Sequence, residues 1–195
     1  VGTPLLLILG IPFAEILSIL LPISLIINFL QLRNRWSLVD IGLIIVFLKY
    51  AIPIMVISLF FTLRNNFDVD AYVGVFLITV SLMELASRNN STYILNYERI
   101  YVIFVGFIHG LFNLGGSLLP SLVTAKYEKK DQVRTNVAVL YILLASVQLL
   151  TIGSMKILMP ATNIIYILVG IFVFLITDTY MYRKMDNEVY QKFIM

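Results

Sequence analysis

Apolar runs long enough to cross a bilayer follow one another along this chain, and only short polar stretches separate them. A helix rising about 1.5 Å per residue needs about 20 residues to cover the roughly 30 Å hydrocarbon core. Segments 12–32, 41–63, 71–87, 135–153 and 161–181 meet or approach that length. Between them, "RNRWSLVD", "RNNFDVD", "SRNNSTYILNYER" and "KYEKKDQVR" carry charge, turn formers, Trp and Tyr suited to the headgroup level. Composition agrees: 60% of residues are hydrophobic and 13% charged, where soluble domains have about 45–50% and about 25%. The expected fold class is all-α, a polytopic, multi-pass membrane protein.

The same composition excludes several function classes. A net charge of +3 without a basic stripe gives nucleic-acid binding no support. No cysteine and one histidine leave no basis for disulfides or a metal site, and no cofactor is expected.

One apolar region, 101–125, is unlike the others. "GFIHGLFNLGGSLLPSL" holds four glycines, a proline, an asparagine and the only histidine. Gly115-Gly116 divide it into arms 101–112 and 117–125, which reach about 18 Å and about 14 Å at helical rise. Neither arm crosses alone, so the region either spans with a kink or turns back as a re-entrant hairpin. Charge favours the hairpin. If the chain turns back, Arg33, Arg35, Arg88, Arg99, Lys126, Lys129, Lys130, Arg134, Arg183, Lys184 and Lys192 share one side, against Arg64 and Lys156 on the other. If it crosses, the split is five to eight. Lys and Arg concentrate on the cytoplasmic side, so the hairpin places loop 33–40 there.

The chain opens with a matching element. "VGTPLLLILG" and "GGSLLPSL" both run Gly, a hydroxyl residue, then Pro in the first helical turn. Hydroxyl groups accept from unpaired N–H groups at a helix start, and proline there forfeits no bond. Three crossings separate the two arms, so they enter from opposite faces. The reading is two inverted repeats, 1–100 and 101–195, each led by a broken or re-entrant helix. The ends at Val1 and at "EVYQKFIM" read as cuts through a first and a second repeat.

Two helix N-termini aimed into the membrane would offer free N–H groups and a partial positive charge, a setting for an anion. Gly2, Thr3, Gly115, Gly116 and Ser117 are the leading candidates. Close helix packing is the competing explanation for the glycines. His109 and Asn113 lie four apart on one helix face, and both are costly in lipid. Ser18, Thr135 and Asn136, near the starts of the spans that follow each arm, could complete a pocket or simply bond to helix backbone. Of the remaining charges, Lys49 is within snorkelling reach of the interface, Glu84 and Arg88 are spaced to pair, and Asp178 is expected to be solvated. Ser117 and His109 could be cast as a protease dyad, but they fall on opposite arms of the break, and no enzyme is expected.

At "GFIHGLFNLGGSLLPSL" and the following "KKDQVRTNVAVLYILLASVQLL", the chain resembles the sulfite exporter TauE/SafE family of bacterial membrane transporters. Gly106, Gly110, Gly115 and Gly116 match a family break of the form G-x-x-x-G-x-x-x-x-G-G, and the opening "VGTPLLLILGIPFAEILSILLPISLII" is similar to the same element in the first half. The resemblance implies alternating-access transport of small sulfur-containing anions such as sulfite or organosulfonates, with coupling to protons. Here Thr3 and Ser117 replace part of a run that is often richer in glycine, which bears on the pocket lining. The implied partners are a small anionic solute and the bilayer, with self-association as an option. The alternative is a non-transporting membrane assembly or accessory subunit in which the glycines only pack helices.

Overall fold

The computed structural model describes residues 2–65, 69–86, 91–157, 163–180 and 182–194. Every regular element among them is helical. In chain order these are α1 (Gly2–Ile8), α2 (Phe13–Leu32), α3 (Ile41–Arg64), α4 (Val69–Ala86), α5 (Ser91–Asn96), α6 (Glu98–Phe112), α7 (Leu119–Lys126), α8 (Lys130–Ser154), α9 (Asn163–Tyr180) and α10 (Asn187–Ile194). Among the described residues α2, α3 and α8 have both the length and the hydropathy of a bilayer span. Helices α4 and α9, 18 residues each, correspond to segments 71–87 and 161–181; only the first was expected to be short.

The distribution of side chains is that of a protein dissolved in lipid. Ile45, Ile57, Phe61, Ile164, Leu168, Phe172 and Leu175 are exposed, whereas Ser58, Thr62, His109, Asn136 and Gln148 are buried. Lipid solvates the first group at no cost, while polar groups must find partners inside the bundle. Helix α2 packs along α8, with α9 on its outer side; α3 packs along α6 and also against α8.

Glycine sets the α3–α6 contact. A Cβ on Gly106 would lie 2.3 Å from the Ala51 carbonyl oxygen, and one on Gly110 would lie 2.0 Å from Ser58 Oγ and 2.4 Å from the Met55 oxygen. Backbones can approach this closely only where no side chain intervenes. Ala51 closes a π-helical turn, Phe47–Ala51, in which the Ile52 N–H reaches the Phe47 oxygen. Pro53 follows directly; it has no N–H, and its ring would strike the carbonyl four residues back, so the wider turn accommodates it. Lys49 lies exposed in the same turn, its Nζ 5.4 Å from the Tyr50 ring centre.

The region around Gly115 folds as a hairpin. Lys126 Nζ at the end of α7 meets Glu98 Oε1 at the start of α6, 2.6 Å apart. The Tyr101 hydroxyl donates to the Leu118 oxygen at 2.8 Å. Both arms therefore return to one end of the bundle, as the charge count anticipated.

That end also collects the 33–40 linker. Asn136 on α8 accepts from the Asp40 N–H (2.8 Å) and donates to the Leu38 and Gln132 oxygens. The Tyr127 hydroxyl donates to the Asp40 carboxylate. Arg35 pairs with Asp131 at 3.2 Å and Arg134 with Asp178 at 2.6 Å. Asp178 is thus ion-paired beside a buried arginine, not solvated as its position near a span end suggested; its partner is one helix away in space and 44 residues away in sequence. The Glu84–Arg88 pairing lies outside the described residues.

Asp40 is held below the usual carboxylate value of 3.8, chiefly by the Tyr127 hydrogen bond and further by the Leu43 N–H and Lys126, against the cost of burial. A carboxyl with a depressed folded-state pKa contributes stability in full above 3.8 and loses it as pH falls through the folded value. Tyr127→Phe is therefore expected to lower the melting temperature at pH 7, with a deficit that shrinks below pH 3.8; an equal deficit at every pH would contradict this assignment. For the helix contact, Gly110→Ala should cost about 1–3 kcal/mol by overpacking. Gly74→Ala, whose Cβ meets nothing within 4 Å, should be neutral or stabilising by up to about 1 kcal/mol; both are read by thermal melts of purified protein.

Candidate solute site where α1 meets the Asn113 break

Helix α1 is seven residues long and stops for a local reason. The Gly10 N–H bonds to the Leu7 oxygen (2.8 Å) and the Ile11 N–H to the Leu6 oxygen (3.2 Å), with Gly10 at φ 75. This 6→1 and 5→2 pair with a left-handed glycine ends a helix cleanly. Pro12 then starts α2, where its missing N–H is no loss.

The second break uses the same left-handed device with a different residue. Asn113 sits at φ 57 and its N–H returns to the His109 oxygen at 2.9 Å, closing α6. A 3-10 turn, Gly115–Leu118, then leads into α7. Its first internal bond runs from the Ser117 N–H to the Leu114 oxygen, so the Gly115 and Gly116 amides precede the ladder. The expected capping by hydroxyl acceptance does not occur here. Ser117 Oγ instead donates to the Leu114 oxygen at 2.7 Å, because the tight turn brings that carbonyl within its reach.

The first turn of α1 touches the second break. Asn113 Nδ2 donates to Thr3 Oγ1 at 3.0 Å across 110 positions of sequence. Thr3 is buried. The His109 oxygen, already bonded by Asn113, also accepts from Gln148 Nε2 of α8 at 3.2 Å. Gly115 lies against α6, where an added Cβ would come 2.3 Å from the Val105 oxygen and 2.5 Å from His109 Cβ. The Tyr141 ring covers Gly116, its Cε1 2.3 Å from where a Cβ would be. Tyr72 of α4 stacks on Phe112 with ring centres 6.5 Å apart, and Phe76 lies tilted against it at 6.3 Å, covering the end of α6.

Two side-chain atoms in this cluster are buried and lack a hydrogen-bond partner: His109 Nδ1 and Gln148 Oε1. Such atoms are costly in an apolar interior and mark places where water or a solute belongs. Thr3, His109, Asn113, Gly115 and Gly116 are thus assembled as the sequence grouped them, with Gly2 next to Thr3 at the start of α1. Gln148 was not anticipated, although a glutamine inside the apolar run "YILLASVQLLTI" is itself a signal, because lipid penalises it.

The other candidates have different surroundings. Leu17 and Leu21 cluster with Ala145 and Ile152, which sets Ser18 at the height of Gln148, where its hydroxyl donates to the Glu15 oxygen at 2.7 Å. Ser117 is exposed, facing away from the cluster's buried atoms. Thr135 and Asn136 stand at the charged end, roughly 20 Å along α8 from Gln148 at helical rise. The Asn136 amide is occupied there by the 33–40 linker, while Thr135 Oγ1 is buried without a partner.

The chain has no match among curated proteins or among solved structures. The family model described as sulfite exporter TauE/SafE matches residues 1–195, from one end to the other. Helical breaks built on Gly115-Gly116, apolar spans around them and this full-length match lead to one statement of kinship: the chain belongs to the sulfite exporter TauE/SafE family, whose members are membrane anion transporters.

Proposed function

We propose that this chain carries small sulfur-containing anions, sulfite or organosulfonates, across the cell membrane by alternating access, with the solute held where the first turn of α1 meets the Asn113 break. The observation that carries the reading is the Thr3–Asn113 bond, which ties two interrupted helices to each other inside the bundle. Gly2 and Thr3 lie in the first turn of α1, and the Gly115 and Gly116 amides precede the first bond of their turn; N–H groups at a helix start and the positive end of its dipole favour a negative acceptor. His109 and Gln148 add buried polar atoms without partners beside them. In this reading Asn113 and Thr3 contact the anion, Gln148 orients His109, and His109 is the group through which proton coupling would act.

Repeats 1–100 and 101–195, approaching from opposite faces, would be the two bodies that rock about this junction. Tyr141, lying on Gly116, would be displaced when the site opens. The second reading, an accessory subunit, draws on the fact that Gly106 and Gly110 serve close packing against Ala51, Met55 and Ser58.

Flux separates the two. Proteoliposomes holding the full chain should take up labelled sulfite or a sulfonate. Thr3→Val keeps the side-chain shape and Asn113→Gly keeps the left-handed backbone, so both should fold. Each is expected to slow uptake by about tenfold or more, the value of one hydrogen bond to a charged group. Intact protein that moves none of a broad anion panel would overturn the transport reading in favour of the accessory subunit.

A further inference from the structure

The charged end of the bundle holds a second feature, separate from the helix breaks. A cleft of about 430 Å³ opens where α2 ends, α8 begins and α9 ends, with Gln31, Arg33, Arg35, Arg134, Asp178 and Tyr182 in its walls. Arg134 is only 6% exposed, yet it is a cation. Its guanidinium is fixed on three sides: Nε donates to Gln31 Oε1 at 3.2 Å, a terminal nitrogen lies 2.6 Å from Asp178, and the Tyr182 ring centre is 3.8 Å away. Arg35 reaches the same ring at 5.3 Å and pairs with Asp131 at 3.2 Å. Arg33 has no carboxylate within ion-pair distance among the described residues.

The charges do not balance. Three guanidiniums surround the cleft against the carboxylates of Asp131 and Asp178, and Lys130 adds a fourth cation 5.0 Å from the Tyr182 ring centre. Like charges gathered at a low-dielectric wall repel one another and focus a positive potential on the space between them. A bound anion relieves that repulsion. Guanidinium forks match the paired oxygens of an oxyanion better than they match a spherical ion.

We propose that this cleft is an oxyanion-binding site, taking a compact sulfur or phosphorus oxyanion between Arg33, Arg35 and the pre-positioned Arg134. Two sources present that chemistry: a free ion such as sulfate or sulfite, and the phosphate of an anionic lipid whose headgroup reaches the ends of α2, α8 and α9. The site is independent of the helix breaks, and a binding readout keeps its fate separate from that of the flux assay.

Trp36, the only tryptophan, follows Arg35 directly and is 58% exposed, so its emission reports on the cleft. The full chain is placed in nanodiscs of phosphatidylcholine or of phosphatidylcholine with phosphatidylglycerol. Sodium sulfate is then titrated at constant ionic strength. A saturable change in Trp36 emission is expected, weakened at least about tenfold in Arg33→Gln/Arg35→Gln. Saturation by sulfate in neutral discs identifies the free ion as a ligand. A shift that follows phosphatidylglycerol content, and is lost in the variant, identifies the headgroup. Either result supports the site. No saturable response to sulfate or to phosphatidylglycerol, or a response undiminished in the variant, overturns it. Should the double variant fail to fold, Arg33→Gln alone, at an exposed side chain, gives the same reading.

Discussion

A helix that stops in an apolar environment leaves N–H and C=O groups that lipid cannot satisfy, and this fold manages two such stops, an exposed one at Gly10 and a buried one after Phe112. Each unsatisfied backbone group in hydrocarbon costs several kcal/mol. At the first stop, Gly10 turns the chain so that the last carbonyls of α1 are bonded by the amides of Gly10 and Ile11. At the second, Asn113 adopts the left-handed conformation and spends its own N–H on His109, while its side chain reaches Thr3. Asparagine suits this position because it tolerates positive φ and still brings an amide. One residue thus ends α6 and joins it to the first turn of α1.

Close packing and polar burial cooperate in holding that junction. Gly106 and Gly110 let α6 lie against the backbone of α3, and Gly115 lets the following turn lie against α6. Helix α8 contributes Tyr141 over Gly116 and, two turns on, Gln148 to the His109 carbonyl. The glycines therefore do serve packing, and packing is what brings Thr3, His109, Asn113 and Gln148 into one place. The two explanations weighed for them describe the same arrangement at different distances. At the opposite end of α8, Asn136 and the Arg134–Asp178 pair fasten the linker and α9, so a single helix connects the junction to the charged face.

Much of the fold was legible because its causes are local. Span lengths follow from runs of apolar residues, and α2, α3 and α8 begin and end within a few residues of the segments read from sequence. The hairpin at Gly115-Gly116 was legible because the distribution of Lys and Arg records which side each loop occupies, and the Glu98–Lys126 pair closes it as that distribution requires. What escaped depends on partners distant in sequence. Asn136 looked like a pocket residue until Asp40, 96 positions earlier, took its carbonyl. Asp178 looked solvated until Arg134 met it. Ser117 looked like a cap, but its turn is 3-10 rather than α, which changes the atom within reach. Gln148 escaped for another reason: one amide in a long apolar run is easily read past, though its energetic cost there singles it out.

The central claim is that α1 and the Asn113 break are in contact inside the membrane. The chain has no cysteine, so Thr3→Cys/Asn113→Cys can be treated with a short bifunctional methanethiosulfonate in native membranes, then cut at a protease site inserted between residues 87 and 90. The account predicts that the two fragments stay joined until a reductant is added. Fragments that separate at once, from a protein that is otherwise folded, would contradict it.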